Sequence, residues 1–125
     1  MAQNYTQGYL NEIQTDIQSK IDTDFTHMGF GTGTVTPTEL QTALDSEVVR
    51  RSRQDYSTTV DSAITGFFLP STTANGNDIS EVGVFDASSG GSMKLRATLN
   101  TPITKTSDVE IWADVTNKNT ITDNS

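Results

Sequence analysis

The sequence has no cysteine, and only one histidine, one tryptophan, three prolines and four lysines among its 125 residues. Without cysteine there can be no disulfide framework, thiolate zinc site or thiol chemistry. Basic blocks are also missing. Eight Lys and Arg against sixteen Asp and Glu give a formal net charge of -8. Such a chain repels a phosphate backbone, so no nucleic-acid partner is expected. No apolar run approaches the ~18 residues that would read as a bilayer span. The polar opening MAQNYTQG does not read as a signal peptide, so no membrane partner is expected either.

What is present is small and polar. Threonine occurs 21 times, and aspartate (11) outnumbers glutamate (5). The length fits one domain, or one domain with a helical appendage. Apolar residues make up 33% of the chain, about 40% with glycine, against a typical 45–50%, so core material is scarce. The Thr and Asp content has two readings. One is a β-rich surface, with Thr on exposed strand positions and Asp in turns. The other is adaptation to high salt, where carboxylates keep a protein hydrated. The charged fraction of 19% is low for a halophile, and both readings stay open.

Tyr9, Ile13, Ile17 and Ile21 fall every fourth residue, with Leu10 widening the stripe, which predicts a helix from about Gln3 to Asp22. At 1.5 Å per residue it would be roughly 30 Å long. A ridge this narrow on an isolated helix is marginal in water and needs a partner, either its own domain or a neighbouring subunit. His27 to Phe30 reads as a short strand, followed by the loop Gly31-Thr32-Gly33-Thr34-Val35. Thr36-Pro37-Thr38-Glu39 carries an N-cap, a first-turn proline and a capping box, predicting a short helix that buries Leu40, Ala43, Leu44 and Val48.

From there the chain alternates like a β protein. Residues 49–59 open with Arg50, Arg51 and Arg53 and end near Tyr56, and residues 60–69 form a buried strand containing Ile64, Phe67, Phe68 and Leu69. Pro70 closes that strand, and residues 71–78 are a polar loop. Residues 79–87 form a strand and 88–91 a hairpin turn. The return strand puts Met93, Leu95, Ala97 and Leu99 on one face and Lys94, Arg96 and Thr98 on the other. Residues 102–108 read as a loop. The last strand turns Val109, Ile111, Ala113 and Val115 inward and Glu110, Trp112, Asp114 and Thr116 outward. Only Ile121 anchors the final residues, which are expected to fray. The expected fold is mainly β: a small antiparallel β-sandwich with one short inserted helix and a longer N-terminal α-helix. Its parts are an assembly helix at 1–25, the sandwich at 26–117 and a flexible tail at 118–125.

Groups for chemistry are few. His27 is the only imidazole and reads as structural or solvent-facing. No strained turn presents a nucleophile. Asp22 with Asp24, or Asn75, Asn77 and Asp78, could chelate a cation, but neither set has calcium-loop spacing, and solvated turns are the better reading. The glycines at 29, 31 and 33 lack the lysine of a phosphate loop. Arg50, Arg51 and Arg53 split across two strand faces, which suits docking to a carboxylate-rich neighbour or guarding an edge. Asn4-Tyr5-Thr6 is formally a glycosylation acceptor. Trp112 is either evidence of a sheet reading inside-out or an aromatic interface anchor. No catalytic residue, metal or cofactor is expected.

In order along the chain stand Phe30-Gly31-Thr32-Gly33-Thr34-Val35-Thr36-Pro37-Thr38, Thr42-Ala43-Leu44 and Glu47-Val48-Val49-Arg50. They are followed by Ile79-Ser80-Glu81-Val82-Gly83-Val84-Phe85-Asp86-Ala87, Ser89-Gly90-Gly91-Ser92-Met93 and Leu95-Arg96-Ala97. This series, spanning residues 28–116, resembles the tail-fibre or tail-collar-fibre-like virion proteins of phages and related archaeal viruses. The resemblance implies a non-enzymatic structural role in a virion assembled in the host cytoplasm. No repetitive shaft or tip domain follows, which favours a fibre or baseplate adaptor, or a short projection, over a receptor-binding fibre. Alternatives are a capsid decoration or vertex (turret) protein, or a module binding a host-surface glycan. The expected partners are other virion proteins and further copies of the chain, a trimer in a fibre or a pentamer at a capsid vertex. Tyr9, Leu10, Ile13, Ile17, Ile21 and Trp112 are the candidate interface residues.

Overall fold

The isoleucine row forms a helix, α1 (Gln7–Asp24). Thr6 caps it, its hydroxyl accepting from the Tyr9 N–H at 3.2 Å. The computed structural model describes residues 6–118, so the part of the predicted helix before Thr6, the Asn4-Tyr5 portion of the glycosylation triplet and the tail from residue 119 lie outside the described residues. At the other end the Phe25 N–H closes the last turn on Ile21 O at 2.9 Å, and the Phe25 ring packs against the core.

Seven strands follow: β1 (His27–Gly31), β2 (Glu47–Ser52), β3 (Asp55–Thr58), β4 (Ser62–Leu69), β5 (Asp78–Phe85), β6 (Met93–Thr104) and β7 (Ile111–Lys118). All pairings are antiparallel, in one sheet ordered β2-β1-β5-β6 and another ordered β3-β4-β7. The stretch expected to run on from residue 49 to 59 breaks between β2 and β3, because the chain changes sheets there. The Arg53 N–H donates to Thr26 O beside the first sheet, and the Gln54 N–H to Gly66 O in the second, both at 2.8 Å. Met28, Phe30, Ile79 and Val84 of one sheet meet Phe67, Leu69 and Ile111 of the other to form the core. The mainly β sandwich with an N-terminal helix is therefore as the sequence indicated.

The inserted helix is not there. Residues 36–46 form bends and one turn, in which the Gln41 N–H reaches Thr38 O and the Gln41 side chain accepts from the Thr38 N–H. In a helix the N–H groups of Asp45 and Ser46 would point back to carbonyls four residues earlier. Here both donate to the Glu81 carboxylate, at 3.0 and 2.8 Å. Of the four residues expected on the buried face only Leu44 is buried, and Leu40 is 87% exposed. Leu44 lies on the outer face of the four-stranded sheet, where a Cβ on Gly29 or Gly83 would come within 3.1 and 2.8 Å of its methyls. These glycines make the hollow that receives it.

Three smaller expectations also change. Pro102 belongs to β6 rather than to a loop, which is tolerated because β6 is an edge strand. Leu95 is 42% exposed although it was placed on the apolar face, and Arg96 on the opposite face is buried. Lys118, assigned to the flexible tail, is the last residue of β7, held by pairing with Ser62.

If residues 32–46 cover the sheet in this way, Leu44→Ala should cost about 2–5 kcal/mol in chemical denaturation. Leu40→Ala should change stability by no more than about 0.5 kcal/mol. A buried helical face would instead make the two losses comparable.

Candidate functional site

The glycine-rich segment, which lacks the lysine of a phosphate loop, does hold an anion, and that anion belongs to the protein. Glu81 pairs with Gly31 across β5 and β1 and is fully buried. Its carboxylate accepts from the N–H groups of Gly33, Asp45 and Ser46 and from Arg96 Nε, all within 3.0 Å. A Cβ on Gly33 would stand 2.5 Å from Glu81 Oε2, and one on Gly31 2.6 Å away, so neither position has room for a side chain. Arg96 then ties down the rest of the loop through Val35 O at 2.6 Å, Gln41 Oε1 at 3.3 Å and Asp45 Oδ2 at 3.1 Å. Burial pushes the Glu81 carboxyl up, but the three backbone donors and the Arg96 guanidinium outweigh it and hold the group below its ordinary value.

The loop read as a weak cation site is also filled from within. Lys105 is fully buried, and its Nζ donates to Asn75 Oδ1 at 2.7 Å and Thr106 O at 3.1 Å. Asn77 is occupied with Ala74 O and Asp78 with the Thr104 hydroxyl. The other acidic pair is likewise engaged, Asp22 by Arg53 and Asp24 by Lys20. Among the described residues no three His, Cys, Asp or Glu side chains cluster as a metal site would require.

The three arginines do not present a docking patch. Arg50 makes a two-pronged pair with Glu47 at 2.7 Å, lies 3.5 Å from the centre of the Phe85 ring and binds the carbonyls of Ala87 and Gly90, fastening the β5–β6 hairpin. Arg51 Nε donates to Phe68 O. Arg53 holds Asp22 and the carbonyls of Asp22 and Phe25 while stacking on Tyr56. His27 sits between the hydroxyls of Thr26 and Ser52, and burial followed by the charge of Arg50 lowers its pKa.

The predicted interface residues divide between two faces. Leu10, Ile13, Ile17 and Ile21 share one half-buried stripe of α1 with Gln14 and Gln18, while Tyr9 beside them is exposed. Gln18 Nε2 donates to Thr59 O and Ser62 O, and the Tyr56 hydroxyl donates to Gln18 O. Tyr56 pairs with Thr65, which shares the inward face of β4 with Phe67 and Leu69. The helix therefore approaches the three-stranded sheet from its inner side. Trp112 is on the outer side, paired with Phe68 and stacked on it at 4.3 Å. Because β7 alternates as read, with Ile111 buried and Ala113 and Val115 partly buried inward, Trp112 is an exposed aromatic and not a sign of an inverted sheet.

Sequence reasoning missed Glu81, Arg96, Lys105 and Phe25. A signal for Glu81 was available, since it interrupts an apolar strand and shares its face with Gly83 and Phe85, a combination that suits a covered face. Compared with family models, curated proteins and solved structures, the chain matches none.

Because the Glu81 pKa is depressed on folding, its contribution to stability is complete above its ordinary value of 4.5 and is lost as pH falls through the folded value. Glu81→Gln should destabilise by about 3–5 kcal/mol at pH 7, because Arg96 is left buried without its closest counter-charge. The variant should also lose part of the acid limb of the stability-against-pH curve, measured by urea denaturation from pH 7 to pH 3.

Proposed function

We propose that this chain is a non-enzymatic structural protein of a tailed-virus particle, serving as a homo-oligomeric fibre or baseplate adaptor or a short projection. The observation that carries the reading is the condition of α1. The helix touches β4 of its own sandwich, yet none of its 18 residues is buried. A stripe of Leu10, Ile13, Ile17 and Ile21 left half open is a surface that a neighbouring subunit can close. The ordered series of motifs, from the glycine-threonine loop to the β5–β6 hairpin, supports the viral assignment. The way its charged groups serve the internal architecture fits a module that contributes shape and contacts. A trimer is the assembly that suits a fibre, and a pentamer the one that suits a vertex.

Full-length protein at micromolar concentration should sediment as a trimer or larger ring. Combining Ile13→Asp with Ile17→Asp should shift it to monomer while moving the melting temperature by only a few degrees. A full-length monomer at every concentration, with the double variant merely less stable, would restrict the stripe to packing within its own chain.

A further inference from the structure

Among the described residues no layer covers the outer face of the β3-β4-β7 sheet, and near one end that face carries an aromatic pair. Trp112 is 61% exposed, and stacking on Phe68 with an interplanar angle of 29° fixes one face of the indole and leaves the other open. In the next row across the sheet, Gly66 pairs with Asp55 on one side and Asp114 on the other. A Cβ on Gly66 would lie 3.1 Å from Asp114 Oδ1 and 3.3 Å from the Asp55 Cβ, so the two acidic side chains flank a shallow dip beside the indole. Glu110, two residues before Trp112, is also exposed.

Glu81, Asp22, Asp24, Glu47, Asp45, Asp61 and Asp86 are each answered by a basic side chain. Asp55, Glu110 and Asp114 make no side-chain hydrogen bond or ion pair among the described residues. The protein has no basic group left to give them. All eight of its lysines and arginines have partners of their own. With those groups engaged elsewhere, a charge complementing this face would come from another molecule.

We infer that this face docks a basic segment of a partner protein, with an arginine side chain stacked on Trp112 and its guanidinium hydrogen-bonded to Asp55 and Asp114. An indole attracts a cation laid over its ring. A guanidinium offers only donors, in a planar fork that matches carboxylates, and it stacks as a plane where an ammonium cannot. A sugar ring would also stack, but its hydroxyls present acceptors together with donors, and the two side chains flanking the dip, Asp55 and Asp114, are acceptors. The net charge of -8 steers a basic partner toward the surface. The proposal goes beyond the assembly reading, since it concerns the sheet face opposite α1 and does not depend on self-association.

Trp112 is the only tryptophan in the chain, so its fluorescence reports on this face alone. Full-length protein is titrated with a peptide of alternating Arg and Gly, with its Lys counterpart, and with a panel of neutral oligosaccharides. The arginine peptide should change the Trp112 emission saturably and bind several-fold more tightly than the lysine peptide, weakening as salt rises. Asp55→Asn combined with Asp114→Asn should weaken binding at least tenfold with the melting temperature unchanged. Trp112→Leu, followed by calorimetry, should remove the preference for arginine over lysine. The inference is overturned by arginine-peptide affinity that is indifferent to the double Asn variant, by absence of saturation at millimolar peptide, or by an oligosaccharide that saturates the signal where the arginine peptide does not. The last result would make the face a glycan platform.

Discussion

Glu81 lies on β5, in the interior of the four-stranded sheet, with no exposure to solvent, and its negative charge has to be neutralised from within. Three backbone N–H groups and one guanidinium converge on it, and they come from residues 33, 45, 46 and 96. That convergence fixes residues 32–46 against the outside of the sheet, seats Leu44 in its glycine-lined hollow and orders the side chain of Arg96. An unmatched carboxylate at this depth would cost several kcal/mol, more than any single turn or cap in the loop can contribute. The loop therefore takes the shape that serves the carboxylate, and its own helical preference yields.

The same economy of charge runs through the molecule. Lys105 fills the Asn75 loop, Arg50 latches the β5–β6 hairpin, and Arg53 joins the end of α1 to the corner between β2 and β3. The eight basic groups all have partners within a chain that holds twice as many acids, although Lys20 and Lys118 keep theirs on the surface. The excess carboxylates remain on the surface, and two of them, Asp55 and Asp114, flank Gly66 in the row next to the exposed indole.

Much of the architecture was legible from the sequence because it rests on local periodicity. The spacing of Tyr9, Ile13, Ile17 and Ile21 gave α1, and the alternation of Ile111, Ala113 and Val115 with Trp112 and Asp114 gave both faces of β7 correctly. The hairpin turn at residues 88–91 followed from its glycines, which adopt φ of 61° and 73° at Gly90 and Gly91. The misread helix at Thr36 carried strong local signals. Capping boxes and first-turn prolines bias an ensemble by about 1 kcal/mol, and that bias lost to a partner 36 residues further along the chain. The interface residues divided in the same way. Periodicity put the isoleucines on one stripe and Trp112 on an outward face, but it could not say that the helix and the indole lie on opposite sides of the same sheet.

The sequence by itself determined that the chain is mainly β with an N-terminal helix carrying the isoleucine row, the sign of its net charge and the absence of thiol chemistry, because each depends on composition or on neighbours a few residues apart. Only the tertiary structure decided which charges would be internal and which would face outward. Glu81 and Asp114 are both acidic residues on alternating strands, and although Gly83 and Phe85 beside Glu81 hint at a covered face, the donors that reach it come from distant segments. One is enclosed by a loop that supplies donors, and the other stands over a glycine with no side-chain hydrogen bond among the described residues. Burial and the supply of hydrogen-bond donors are properties of the assembled fold, and they set the role of each charge.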